Sequence, residues 1–119
     1  MKRERGASEP VYHGGRHPSG RAYVTVRQPG ERATLLRWRL ELYRHSPTGL
    51  EWGYGGSGPA QLALALLADA TGDENLAISA HQEYKSAVVA GLSQAGWTLS
   101  RSQVLAWVKT YQKEKSANF

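Results

Sequence analysis

The stretch WGYGGSGPAQLALALL, residues 52–67, joins a glycine-rich turn to the most apolar helix this chain can make. Gly53, Gly55, Gly56 and Gly58 cluster there. Glycine permits positive φ and close backbone approach, so the cluster marks a path that side chains would block. Pro59 has its φ preset for a first helical turn, where its missing N–H costs nothing. Ser57 or Gly58 is the expected N-cap. Gln61, Leu62, Leu64, Leu66 and Leu67, with alanines between, make a helix apolar nearly all round, and such a helix is buried. Gly72 is placed to end it in a left-handed conformation. The apolar run is far short of the ~20 residues that cross a bilayer, so it reads as core.

The helix start offers free N–H groups and the positive end of the macrodipole, which together suit an anion. Gly53, Gly55 and Gly58 match G-x-G-x-x-G, but no strand pattern follows the helix, as a dinucleotide fold requires. No lysine follows the glycines, so the stretch is not a Walker loop. Pro59 stands where a nucleophile elbow needs its last glycine. Three readings remain: a structural turn or part of a protein-binding face, which is the expected one, then a phosphate or nucleotide cradle, and last a catalytic loop. Trp52 and Tyr54 flank Gly53 either as outward anchors or tucked over the helix start, and tucking is the expected arrangement. Arg16 could clamp a bound anion, since a guanidinium suits phosphate and carboxylate; pairing with a protein carboxylate is its commoner use. His45 precedes a Ser-Pro-Thr-Gly turn and could fall near the same loop. The candidate ligand- or partner-binding set is Tyr12, Arg16, His45, Trp52, Tyr54, Gly55, Gly56, Ser57 and Gly58.

Three segments, SPTGLEWGYGGSGPAQLALALLAD, HQEYKSAVVAGL and WTLSRSQVLAWV, together with the Tyr-x-Gly-x-Arg start at Tyr12, Gly14 and Arg16, carry a resemblance. The chain resembles, over residues 11–108, a family of short proteins of phages, plasmids and bacterial or archaeal mobile elements known only as a domain of unknown function. The resemblance implies one compact domain and a mobile-element setting. It brings no established activity.

With 119 residues the chain is the size of one domain with a small core. There is no cysteine, which removes disulfides, zinc-thiolate sites and a thiol nucleophile. The first ten residues are basic but lack an apolar segment, so no secretory signal is read there and a cytoplasmic protein is expected. Net charge is +5, which favours acidic partners, either protein surfaces or nucleic acid.

Taken in order, residues 1–9 read as a disordered basic arm, 10–113 as the domain and 114–119 as a tail. A first strand begins near Val11. Residues 22–27 alternate, with Ala22, Val24 and Val26 on one face, and read as a strand. Residues 32–44 fit a strand with Leu36, Trp38, Leu40 and Leu42 inward and Arg37, Arg39 and Glu41 in water. A helix with Leu35, Leu36, Leu40 and Tyr43 on one side competes; the clean period of two selects the strand. Residues 50–54 read as a short final strand. Asp73 caps a second helix that reaches about residue 90, with Ala77, Ala80, His81, Tyr84, Val88 and Leu92 on its apolar stripe. Gly96 and Trp97 turn the chain back. Ser100 and Gln103 form a capping box for a third helix whose inner face is Val104, Trp107, Val108 and Tyr111. The expected fold is α+β, a small antiparallel sheet of three to four strands packed with three helices around a buried Leu-rich central helix.

No catalytic constellation is visible. His13 and His17 have helical i, i+4 spacing, but Gly14, Gly15 and Pro18 oppose a helix, so no metal set is assigned. His81 reads as a satisfied core histidine. Asp69, Asp73 and Glu74 read as capping and solvated turn. Arg27, Arg37, Arg39 and Arg44 are expected to form a basic sheet face. The expected function is a non-enzymatic interaction protein of a phage or mobile element that binds an acidic or nucleic-acid-associated host protein, including a nucleic-acid-targeting defence complex. A phosphate- or nucleotide-binding domain is the alternative, and a nucleic-acid-binding accessory protein the second. No cofactor, metal or membrane is called for.

Overall fold

The computed structural model describes residues 8–117. Residues 1–7 of the expected basic arm lie outside them. Four strands and three helices follow in the order β1 (Val11–Arg16), β2 (Ala22–Arg27), β3 (Ala33–Leu35), α1 (Ser57–Thr71), α2 (Glu74–Ala87), β4 (Trp97–Ser100) and α3 (Arg101–Ala117). A short 3-10 turn, Val89–Gly91, lies between α2 and β4. The sheet is antiparallel with order β3-β2-β1-β4. The fold is α+β, as the sequence pattern indicates.

The Leu-rich helix is the centre of the molecule. From Gly58 to Ala70 every residue of α1 except Asp69 is buried, and only the terminal Ser57 and Thr71 also reach water. A helix apolar on all sides can be stable in water only if neighbours cover all sides. The sheet supplies Tyr12, Val24 and Val26, α2 supplies Ala77, Ala80 and Tyr84, and α3 supplies Val104, Val108 and Tyr111. Gly56 rather than Ser57 or Gly58 caps the start, with extended backbone and no side-chain hydrogen bond; its carbonyl accepts from Ala60 N–H at 3.0 Å. Gly72 ends the helix at φ 67°. Asp73 Oδ1 accepts from Leu76 N–H at 3.0 Å at the start of α2. Gln103 Oε1 accepts from Ser100 N–H at 2.8 Å, and Gln103 N–H donates to Ser100 Oγ at 3.2 Å, completing the reciprocal capping box of α3.

The Tyr-x-Gly-x-Arg start is one face of β1, because alternate residues of a strand point the same way. Tyr12 is fully buried and donates its hydroxyl to Asp69 Oδ2 at 2.7 Å. Burial, and then that hydrogen bond, push its pKa well above the ordinary phenol range. Gly14 lies under the indole of Trp97, its register partner on β4. Arg16 reaches the chain that enters the glycine loop.

Three expectations are corrected. Residues 36–42 are not a strand. Leu36 N–H still donates to Val24 O at 2.9 Å, then the chain leaves the sheet and turns at Arg39, whose φ is 61°. Arg39, expected in water, has a side chain only 12 % exposed and pairs with Glu41 and Glu74. Trp38, expected in the core, is 36 % exposed. Two forces override the alternation: ion pairing with α2, and hydrogen bonds from the core that capture this backbone, described below. Residues 50–54 form no strand either. Leu50 and Trp52 are buried with Glu51 between them, so the alternation survives without a ladder. The edge of β1 that could have received them is taken by β4, whose four residues are too few to reveal a period in the sequence. Finally, Arg37, Arg39 and Arg44 lie outside the strands; of the four arginines expected on a sheet face, only Arg27 is on one.

At the ends, Glu9 accepts from Ser102 N–H at 2.6 Å and from its hydroxyl at 2.7 Å. The helix α3 continues through residues 114–117, and Lys115 pairs with Glu83 at 2.9 Å. Among the described residues no helix is long and apolar enough to cross a membrane.

Candidate functional site

The glycine turn opens beside a cleft rather than vanishing into the core. Trp52 is fully buried beneath it, edge-on to Trp97 with ring centroids 5.6 Å apart. Its indole N–H donates to Gln94 O at 3.2 Å. Tyr54, two residues on, is 47 % exposed. The two aromatics that flank Gly53 therefore do opposite things, one an anchor of the loop and one a surface group. Gly53 takes φ 85°, and its N–H donates to Val89 O at 3.1 Å.

Arg16 is committed to the fold. Its Nη1 and Nη2 donate to the two oxygens of Glu51 at 3.1 and 3.0 Å, and its Nε donates to Gln94 O at 2.6 Å. The guanidinium carbon sits 4.5 Å from the centre of the Trp52 ring, a cation–π distance. The Glu51 hydrogen bonds raise the arginine further above its ordinary pKa. Glu51 in turn crosses Gly58 closely: a Cβ at Gly58 would come 2.7 Å from Glu51 Cβ. Gly58 is thus required by the close passage of Glu51. A carboxylate already stands by the helix start, where the macrodipole favours negative charge.

Two adjoining clefts flank this structure. One, of about 300 Å³, runs past Trp38, Thr48, Glu51, Tyr54, Ser57 and Gly58. The other, of about 250 Å³, runs past His17, Tyr23, Leu35 and Trp38 at the edge of β2. Arg21, Ala22, Trp38 and Leu50 line both. Leu35 is 73 % exposed, so the rim of the double cleft carries three large apolar groups, Leu35, Trp38 and Tyr54. The guanidinium of Arg21 forms no ion pair among the described residues.

Of the expected site residues, Tyr54, Ser57 and Gly58 line the cleft, and Gly55 and Gly56 lie in the turn between them. Arg16 and Trp52 support the turn from below, whereas Tyr12 bonds Asp69 near the opposite end of α1. His45 lies apart, against His81 of α2, with Nε2 atoms 2.7 Å apart. Arg27 donates to Glu31 O at 2.9 Å, and Arg37 lies 3.6 Å from Glu41. His13 and His17 both approach the Tyr23 ring, at 6.2 and 4.9 Å between centroids. Among the described residues no group of three or more His, Cys, Asp or Glu could hold a metal. Arg21, Leu35 and Trp38 are the residues sequence reasoning missed. One signal was available: Leu35 and Leu36 are adjacent on an extended segment, so one of them must face out.

A family model, described as a family of unknown function (DUF6166), matches residues 12–110. The chain belongs to this family. The match begins at Tyr12, the first inward residue of β1, and runs into α3, so DUF6166 spans the sheet, the central helix and the double cleft. No curated protein and no solved structure matches the chain.

Proposed function

We propose that this DUF6166 protein is a non-enzymatic interaction module whose double cleft docks an acidic protein surface. The observation that carries the reading is the joining of exposed Leu35, Trp38 and Tyr54 around Arg21 at one concave place. Tryptophan, tyrosine and arginine are the residues that dominate protein–protein binding energy when they gather in a pocket. A guanidinium with no ion-pair partner among the described residues, set between apolar groups, selects a partner that brings a carboxylate with an apolar neighbour. The glycine loop keeps the path to the cleft free of side chains, while Trp52 and the Arg16–Glu51 pair hold it rigid. A rigid receptor loses little entropy on binding. The mobile-element setting, with a host defence complex as the partner, is part of the proposal and rests on the sequence resemblance alone.

A phosphate or nucleotide cradle at the helix start gains less support. The arginine that would clamp the anion is occupied by Glu51, and that carboxylate would face the phosphate.

The test is affinity capture from nuclease-treated bacterial lysate with wild type, Trp38→Ala, Arg21→Glu and a control, Ile78→Ala, on the exposed side of α2. The expected result is a protein partner retained by wild type and control and lost, by about tenfold or more, in the two cleft variants. Capture that ignores both cleft substitutions, or that disappears with nuclease treatment, overturns the reading.

A further inference from the structure

The segment 36–50 has no regular structure, yet it carries Trp38 and one wall of the cleft. Something must hold it. One fastening is to α1: Gln61, fully buried, accepts from the N–H groups of His45 and Ser46 at 2.8 and 3.2 Å and donates to Trp38 O at 2.7 Å. Two more are to α2: Arg39 pairs with Glu74, and His45 Nε2 meets His81 Nε2. His81 is 4 % exposed, and its Nδ1–H donates to Ile78 O at 2.7 Å. That bond fixes the tautomer, since a neutral imidazole has one donor and one acceptor nitrogen. The Nε2 of His81 is therefore the acceptor, and His45 Nε2–H is the donor.

The ring centroids stand 4.9 Å apart, about the nitrogen separation plus the two ring radii. The imidazoles meet head-on. This is the geometry of a shared hydrogen bond, not of two lone pairs converging on a metal ion.

We propose that His45 and His81 form a proton-sensitive clasp that fastens the backbone around His45 to α2 at neutral pH and releases it on acidification. A proton on His45 Nδ1 leaves the Nε2–H···Nε2 bond in place but puts a cation in a partly buried site beside Lys85, which favours the released segment, where water solvates that cation. The groups facing the pair are Tyr43 from its own segment, stacked on His45 with centroids 4.2 Å apart, the uncharged Gln61 from α1, and Lys85 from α2. Burial first, then His81 and Lys85, hold the His45 pKa below its ordinary value. The unfolded chain therefore takes up this proton more readily than the folded one. The clasp's contribution is present in full above the ordinary histidine pKa of about 6.5 and is lost as pH falls through the lower folded value.

The proposal does not depend on the partner reading, and its test needs no partner. Amide hydrogen exchange of the full chain is measured at about pH 7.5 and about pH 5, corrected for intrinsic exchange. His45 and Ser46 should lose protection by about tenfold or more at the lower pH, while Leu64 and Leu66 in α1 hold theirs. In His45→Gln, which can hydrogen-bond but not titrate, that loss should vanish. Equal protection of His45 and Ser46 in the wild type at both pH values overturns the clasp. So does an unchanged acid loss in His45→Gln.

Discussion

Gln61 donates its carboxamide N–H to the carbonyl of Trp38 at 2.7 Å from the middle of the protein. It is the one strongly polar side chain between Pro59 and Ala68 on the central helix, and it satisfies three backbone groups of the irregular segment at once. A buried backbone group without a partner is costly, so this side chain makes it feasible for a segment without ladders to lie against the core.

Replacement by an apolar residue of similar size tests that role. Gln61→Leu leaves Trp38 O, His45 N–H and Ser46 N–H unpaired, at roughly 1–3 kcal/mol for each group that water does not reach. We expect a loss of about 3 kcal/mol in urea unfolding with an unchanged slope. The exchange protection of His45 and Ser46 should fall with it. A neutral result would mean that water reaches these groups readily.

Gly14 and Gly15 are adjacent but face opposite sides of the sheet, and they should respond differently to the same methyl group. A Cβ on Gly14 runs into the Trp97 indole, which is boxed in by Trp52. A Cβ on Gly15 meets only the hydroxyl end of Tyr23, which can swing away on the open face. Gly14→Ala should cost about 2–3 kcal/mol by overpacking and weaken the near-ultraviolet tryptophan dichroism. Gly15→Ala should stay within about 1 kcal/mol.

Arg16→Lys keeps the charge but not the planar fork. It gives up the two-point bond to Glu51, the bond to Gln94 O and the stacking on Trp52. Arginine and lysine are not interchangeable at such a site. Because both partners of the ion pair are partly exposed, with side chains 22 % and 34 % accessible, screening reduces the cost. About 1–2 kcal/mol is expected by denaturant unfolding, with little recovery in high salt. A variant as stable as wild type would show that the loop is held by Trp52 and Gln94 alone.

Leu35→Glu and Tyr54→Ala change exposed groups with few packed neighbours. Their unfolding midpoints should stay close to wild type, within about 0.5 kcal/mol for Leu35→Glu. A much larger destabilisation would reveal the rim as part of the core and weaken the case for a docking surface.

Much of this fold can be read from local pattern. The buried rod, its glycine stop, the Asp73 cap and the Ser100–Gln103 box all rest on interactions within a few residues of one another. The sequence therefore specified the three helices and the 22–27 strand directly, because periodicity and capping are local properties of the chain. Tertiary structure alone decided the path of residues 36–50 and the pairing of residues 97–100. In the first, bonds from Gln61 and Glu74, distant in sequence, outweighed a plausible alternation; in the second, a free edge of β1 captured four residues with no legible period of their own. The site divides along the same line. The glycine turn and its aromatics were visible in the sequence, but the burial of Trp52, the use of Arg16 on Glu51, and the meeting of Arg21, Leu35 and Trp38 depend on which surfaces the other elements leave open, and no short stretch of residues carries that information.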